Sequence, residues 1–483
     1  MRTLIACLTL SGVAWAGTCA TPTVYTVGSG QTYATITLAL AAVKTDCPYS
    51  SGNFTAAKTI SIYSGTYTEH GLDTTNNPSW NNILLPTATY PLTFSAAAGN
   101  SPIIDCGGGA NDFIADYSPY VTFDHLEIKN CRRAVFTSQE FTGSPCGYAT
   151  ISNNYIHDMT STGYYAIGNA DVTHCSRLKI HDNYLVNVVK GIVAGPYDDV
   201  EYNEVNTSTS ADLISDGSLG GASAATIANN IAYYGANAST AGVVSIYATP
   251  ITGNVTYHNR YGTETLAVSS PGPTFSGNID VDNLYNCHDE SAGGQAYFVR
   301  THSFCYYATS GSELWVNPNN SGFIAGVVLE NNLSWSNAAA QSFDYNVRVV
   351  SDASFLYEGN NAYNETGQTF RGLDLAKNGG YQYTSLATWQ AGTGMDTTSF
   401  EANPRLVGDP NLLVAATGQV FVSAANIEAR LALIRRNYMP TNLALKGKGC
   451  AWNGSSCVAD HSDIGAVPIT IYDAPGITGG GAY

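Results

Sequence analysis

One short phrase, apolar-x-x-Asn-x-apolar, recurs along the middle of the chain and constrains the fold more than any other feature. It reads ISNNYI from Ile151, IHDNYL from Ile180 and VEYNEV from Val200. With a small residue in the last slot it continues as IANNIA from Ile227, ITGNVT from Ile251, FSGNID from Phe275, LENNLS from Leu329 and YEGNNA from Tyr357. The fourth-position residues are Asn154, Asn183, Asn203, Asn230, Asn254, Asn278, Asn332 and Asn360, with gaps of 29, 20, 27, 24, 24, 54 and 28. The gap of 54 is two periods, with a degenerate copy or an insertion between. FDHLEI from Phe123 is an earlier copy without the asparagine. A period of about 20–30 residues means a solenoid. Leucine ladders and helix formers are missing, so the unit is a turn of chain carrying short strands. The expected fold is all-β, a right-handed parallel β-helix of about ten coils stacked at the ~4.8 Å strand spacing. Asparagine suits it twice: it tolerates a left-handed turn, and its amide bonds the same amide one coil away.

Composition agrees. Only 12% of the 483 residues are charged, while 44% are hydrophobic and Tyr numbers 32. Val, Ile, Thr and Tyr favour strands. A net charge of −17 argues against nucleic acid or an anionic membrane as partner. The opening MRTLIACLTLSGVAWAG has a basic residue, an apolar run and a small-x-small cleavage pattern, Ala14-Trp15-Ala16. It predicts a secretory signal over 1–16 and an extracellular, monomeric protein with no membrane insertion. Removing Cys7 leaves ten cysteines, an even number that suits an oxidising compartment. Cys450 with Cys457, and Cys287 with Cys305, bracket two short loops.

The ends add a resemblance. VYTVGSGQTYATITLALAAVK at 24–44 and TISIYSGTYTE at 59–69 resemble the opening of pectin-lyase-like β-helix proteins. There a short amphipathic helix, here about 31–44, caps the solenoid's open end. NPRLVGDPNLL at 403–413 and SDIGAVPI at 462–469 resemble the closing segment of secreted bacterial members. The resemblance implies a cap over 17–60, the β-helix over 61–402 and an irregular closing cap over 403–483. No Gly-His-Gly, Arg-x-Pro-x-x-Arg or paired-aspartate signature is present, so no subfamily is implied.

In the family the cleft follows the strand after the asparagine turn. Aligning Ile167, Ile192 and Leu213 places Tyr165, Lys190 and Ala211 in one column, with Ala166, Gly191 and Asp212 in the next. Lys190 then stands within about 5–8 Å of Tyr165 and Asp212. A one-residue slip would exchange inside and outside. Asp171, Asp198, Asp199 and Asp216 follow in the turns. Pairs among Asp199, Asp212 and Asp216 suit glycosidase chemistry, and Asp171, Asp198 and Asp199 suit Ca²⁺. The bland alternative is a set of solvated turn aspartates and a lysine blunting an edge. Residues 286–305 read as an inserted cleft wall. Arg300 and His302 from it, with Arg260, Glu264 and Tyr247, are candidate substrate contacts. Tyr155, Tyr184, Tyr233, Tyr234, Tyr257 and Trp335 are candidate sugar-stacking rings, although such residues more often cover a sheet.

The leading expectation is a secreted enzyme that cleaves a linear polysaccharide. Hydrolysis leads because an acidic chain is poorly matched to a polyuronate unless Ca²⁺ bridges the charges. The alternative is a lyase with Lys190 as base, Tyr165 as acid and aspartates holding Ca²⁺. A third reading is a non-catalytic, glycan-binding or adhesive surface protein.

Overall fold

The computed structural model covers residues 19–466 less 22, 49–51, 75–83, 138–146, 162, 170–176, 196, 208–211, 217–224, 236–240, 247–248, 267–272, 291–296, 309–311, 317–325, 337–344, 350–354, 366–369, 371, 375–380, 417–425 and 454–455. The chain winds as a right-handed parallel β-helix. Among the described residues its three sheets hold thirteen strands each. The first runs from Thr23–Val27 to Phe355–Gly359, the second from Gly65–Tyr67 to Phe400–Glu401, and the third from Leu72–Asp73 to Tyr381–Tyr383. Pairing is parallel throughout these sheets except for the last pair of the third, Gly372–Asp374 with Tyr381–Tyr383. Thirteen rungs exceed the about ten expected because the first coils carry no asparagine phrase to count. The first rung, Thr23–Val27, already lies within the segment read as the cap.

Register makes the interior. In the first sheet Tyr25, Ile60, Phe94, Phe123, Ile151, Ile180, Val200, Ile227, Ile251 and Phe275 stack in one inward column, each at most 2% exposed. Helix α1, Ile36–Asp46, closes this core at the N-terminal end with Ile36, Ala39, Leu40 and Val43. Its N-terminus is held by Glu69 of the GTYTE motif, which accepts from the backbone N–H of Ile36 and Thr37, both at 2.7 Å. A carboxylate satisfies orphan N–H groups there and complements the helix dipole.

The asparagine ladder is present, with two corrections. Asn154, Asn183, Asn203, Asn230, Asn254 and Asn278 each pass Nδ2 or receive it at Oδ1 over 3.0–3.2 Å. Each Oδ1 from Asn183 to Asn278 also accepts the backbone N–H of the asparagine before it. The 54-residue gap holds a degenerate copy with Ser303, whose N–H donates to Asn332. At the next rung the ladder residue is Asn361, bonded to Asn332 and only 2% exposed. Asn360 instead takes the left-handed turn, with φ 53°. The division of labour is general here. The residue before the ladder position, such as Asn153, Asp182, Tyr202 or Asn229, carries the positive φ. The ladder amide is thereby freed to serve as a cross-coil brace.

The C-terminal segment lies along the outer face of the second sheet. Helix α2, Ile427–Asn437, and residues Leu413, Tyr438, Leu445 and Ile464 cover Ile231, Tyr233, Val255, Tyr257, Phe304, Tyr306 and Trp335. Tyr233, Tyr257 and Trp335 are therefore packed under protein rather than offered to sugar, at 0%, 1% and 7% exposure. Tyr234 is tied down as well, its hydroxyl donating to the carbonyl of Ala416. Tyr155 remains 39% exposed and stacks on Tyr184. Among the described residues four disulfides join Cys19–Cys47, Cys106–Cys131, Cys287–Cys305 and Cys450–Cys457, a usage in keeping with an oxidising environment. Among the described residues no helix is long and apolar enough to cross a membrane. The signal segment 1–16 lies outside the described residues.

Candidate active site on the third sheet

Register decides which residues meet on the third sheet. Ile167 pairs with Ile192, and Ile192 with Ile214 rather than Leu213. The one-residue slip moves Asp212 into the column of Tyr165 and Lys190. Extended by two coils each way, that column reads Asp112, Arg133, Tyr165, Lys190, Asp212, Ala241, Tyr261. Ile167, Ile192 and Ile214 are fully buried in the solenoid, whereas Tyr165, Lys190 and Asp212 are half-buried on the outer face. Leu213 is buried next to Ile214, so consecutive residues point inward there and the sequence pattern gave no unique frame.

Tyr165 reaches along the solenoid axis. Lys190 Nζ stands 5.0 Å from its ring centroid, a cation on a π face. The phenol oxygen then meets Ser215 Oγ at 3.0 Å, on the strand Ile214–Asp216 that Asp212 leads into. Burial, with the Asp212 and Asp216 charges adding to it, pushes the Tyr165 phenol up to about 12 despite its bond with Ser215. Burial also raises Asp212 above the usual carboxylate range, opposed by the Ala241 N–H and by Lys190. Ser215 is a neighbour of this column that the spacing did not point to; only the observed frame puts it outward.

Gly191 holds this geometry. A Cβ there would fall 2.1 Å from the carbonyl oxygen of Leu213 and 2.6 Å from Val205 Cγ1. Gly191→Ala is expected to cost about 1–3 kcal/mol or more, because the obstacle is backbone. A lowered melting temperature is the expected result; an unchanged melt would show that the coils can part freely.

The other expected site residues scatter. Asp216 points inward, fully buried, and accepts from Ser245 Oγ at 3.2 Å and from the Ile246 N–H. Asp198 is fully buried and accepts the N–H groups of Leu178 and Gly195 at 2.8 and 2.6 Å. It braces the turn; burial pushes it up to about 7. Asp199 lies on the outer face of the first sheet, with Lys179, His181, Asp182, Glu201, Tyr202 and Glu428 around a cavity of 430 Å³. Asp171 and Tyr247 lie outside the described residues. Asp199 on the first sheet thus stands apart from Asp212 on the third and from the inward Asp216, and of the residues expected to hold Ca²⁺ Asp198 is buried against backbone N–H groups while Asp199 faces outward. The cluster of metal-ligand residue types found among the described residues, Glu330 with Cys450 and Cys457, has its cysteines in a disulfide.

Residues 286–305 are no inserted wall. Their described parts lie in regular rungs, Asn286–Glu290, Tyr297–Thr301 and the start of Phe304–Ala308. Arg300 occupies the inward column after Phe275, fully buried, with its guanidinium 4.2 Å from the Phe275 ring. Its Nη1 bonds Thr263 and His288, both at 3.0 Å, and His288 lies 3.0 Å from Asp280. Such a buried charge persists only when paired and hydrogen-bonded. His302 sits in the left-handed turn of another face and bonds Ser462. Neither contacts a cleft on the third sheet. Arg260 and Glu264 do stay on that face, two coils beyond Asp212 and Ser215. Arg260 lies 4.5 Å from the Tyr285 ring.

The face is also more basic than the chain. Asp112 accepts from Nε and Nη2 of both Arg132 and Arg133. With Lys190 these make three of only 20 basic residues within a few coils of each other.

Comparison with known proteins shows the fold. No family profile matches the chain and no curated protein matches its sequence. The structure of XylC in complex with xylose is similar at a TM-score of 0.51 and 10% identity, over 93% of this chain and 98% of that one. Pectate lyase Pel9A is similar at 0.43 and 13%, over 93% and 97%. A mannuronic acid specific polysaccharide family 6 lyase from human gut microbiota is similar at 0.44 and 12%, over 72% and 87%.

Proposed function

We propose that this protein is a polysaccharide lyase acting on a uronate-containing polymer at the Tyr165–Lys190–Asp212 column. The observation that carries the reading is the Tyr165 hydroxyl, delivered across one coil to the strand that Asp212 leads into, with Lys190 over its ring. The protonation states fit. A phenol near 12 is a proton donor at neutral pH, and a carboxylate raised above its usual range is a competent base. Lys190, on a π face beside a carboxylate, serves better as the ammonium that neutralises the uronate carboxylate than as the base. In this reading Asp212 takes the proton from C5, the C5–H electrons form the C4=C5 double bond, and the C4–O bond breaks. The leaving oxygen takes the phenol proton of Tyr165. Repeated outer columns suit a linear polymer. Loss of the paired aspartates expected for hydrolysis removes the main support for that chemistry at this face.

The test is incubation with acidic and neutral polysaccharides, with and without chelator. New reducing ends with ultraviolet absorbance are expected on an acidic polymer. New ends without absorbance would overturn elimination. The pH profile supplies a further check. Lys190 holds Asp212 down, so Lys190→Met lets its carboxyl rise further. The acid limb of kcat/KM, which reports the free enzyme's base, then moves to higher pH. A limb that stays put or moves down would remove Asp212 as base.

One observation favours a second reading. On the first sheet Asp199 and Glu201 share a face of one strand within the 430 Å³ cavity. Burial and the Asp199 charge raise Glu201, while His181 opposes them. A raised acid beside a second carboxylate is a glycosidase arrangement. Activity on neutral polymers that is lost in Glu201→Gln would place hydrolysis there.

A further inference from the structure

We infer that Arg132 and Arg133 form an anion subsite one coil on the N-terminal side of Tyr165, which takes the carboxylate of a sugar next to the one cleaved. The inference rests on the uronate reading above.

The geometry is unusual for a brace. Asp112 and Arg133 are register neighbours in the column of Tyr165, and one guanidinium would satisfy the carboxylate. Two are present. Arg132 presents Nε at 2.9 Å, together with Nη2, and Arg133 presents Nε and Nη2 at 2.8 and 2.6 Å. Burial alone would raise Asp112, yet the two guanidiniums hold its carboxyl below the usual range, so it is ionised at neutral pH. Among the described residues the cluster of two guanidiniums and one carboxylate therefore carries a net charge of +1. It does so in a chain of net charge −17, where basic residues are scarce.

The guanidiniums are also fixed in orientation. The Tyr164 ring lies 4.9 Å from Arg132 Cζ and 5.3 Å from Arg133 Cζ. Arg133 packs on Phe136 as well, 3.3 Å from its ring centroid. Phe136 sits in the outward column that continues through Gly168 and Val193 to Ser215. Aromatic faces set the planes, and Asp112 takes the Nε–Nη2 edges, which turns the Nη1 side away from it. The Arg132 side chain keeps 31% exposure and Arg133 15%, so the excess charge borders solvent. A planar fork ordered before the ligand arrives loses little entropy on gripping a carboxylate. Arg133 and Lys190 flank Tyr165 by one coil on either side, about 9–10 Å apart at the strand spacing. Two cationic positions along one column match a polymer that carries an acid on successive sugars.

The experiment uses the full chain with Tyr165→Phe, so that ligand is not consumed. Binding of oligogalacturonate and oligomannuronate hexamers is measured by calorimetry, with xylohexaose as the neutral control. Arg132→Gln is introduced because it leaves Asp112 paired with Arg133. Binding of the acidic hexamer recognised by the parent should weaken about 10- to 100-fold, as for loss of a charge-assisted hydrogen bond. Xylohexaose binding and the melting temperature should not move. Unchanged affinity for the acidic hexamer, or equal loss for acidic and neutral hexamers, would overturn the subsite. If the unsubstituted enzyme yields no ultraviolet-absorbing product but Arg132-dependent acidic binding persists, the elimination reading falls alone. If such product forms and Arg132→Gln binds normally, the subsite falls alone. A parent that binds no acidic hexamer overturns both.

Discussion

Tyr165→Phe should lower turnover of an acidic polysaccharide by about 10²- to 10⁴-fold, the contribution of a positioned general acid. The substitution keeps the ring that supports Lys190 and removes the oxygen that bonds Ser215. Binding of substrate should therefore change little while kcat falls. Lys190→Ala should differ, because it removes the cation that meets the substrate carboxylate: KM should rise together with the loss of kcat. Initial rates from ultraviolet absorbance separate the two variants. A Tyr165→Phe enzyme with half or more of the normal kcat would remove the phenol from the chemistry.

Asn203→Ala should destabilise the solenoid by about 3–6 kcal/mol, since it leaves several buried polar groups unpaired at about 1–3 kcal/mol each. Asn203 Oδ1 accepts from the backbone and side chain of Asn183, and its Nδ2 donates to the carbonyls of Ile180 and Glu201 and to Asn230. Four of these five bonds are buried, which removes their partners from bulk solvent. The cost is a large share of a typical folding free energy of about 5–15 kcal/mol. Asn360→Ala is the matched control. Asn360 lies outside the ladder, in a left-handed turn, so only about 1–2 kcal/mol is expected. Denaturant titration with fluorescence measures both. Equal losses would mean that the ladder contributes no more than any turn asparagine.

The two predictions divide along what could be read in advance. The recurring asparagine marks one turn per coil, and that period already demanded stacked short strands. At Asn360 the reading slipped by one, because two adjacent asparagines satisfy the same pattern and only the backbone shows which takes the left-handed turn. The site suffered the same ambiguity more severely. Leu213 and Ile214 are both apolar and both buried, so the sequence offered two frames, and one frame separates Asp212 from Lys190 while the other joins them. Arg300 shows the limit from the other side. A charged residue in a strand reads as exposed, yet here Asp280, His288 and Thr263 from other sheets surround it inside the solenoid.

From its sequence alone this protein was bound to coil: the period of the asparagine phrase, the β-forming composition and the capping segments are local properties. They act between neighbouring coils at one repeat distance, so a pattern in one dimension encodes them. Which side chains meet across the third sheet was decided only in three dimensions. Lateral register depends on inward packing of consecutive residues such as Leu213 and Ile214, and a shift of one residue exchanges the core for the cleft. Tyr165, Lys190, Asp212 and Ser215 belong to three coils, and they come together because the solenoid stacks those coils in that register.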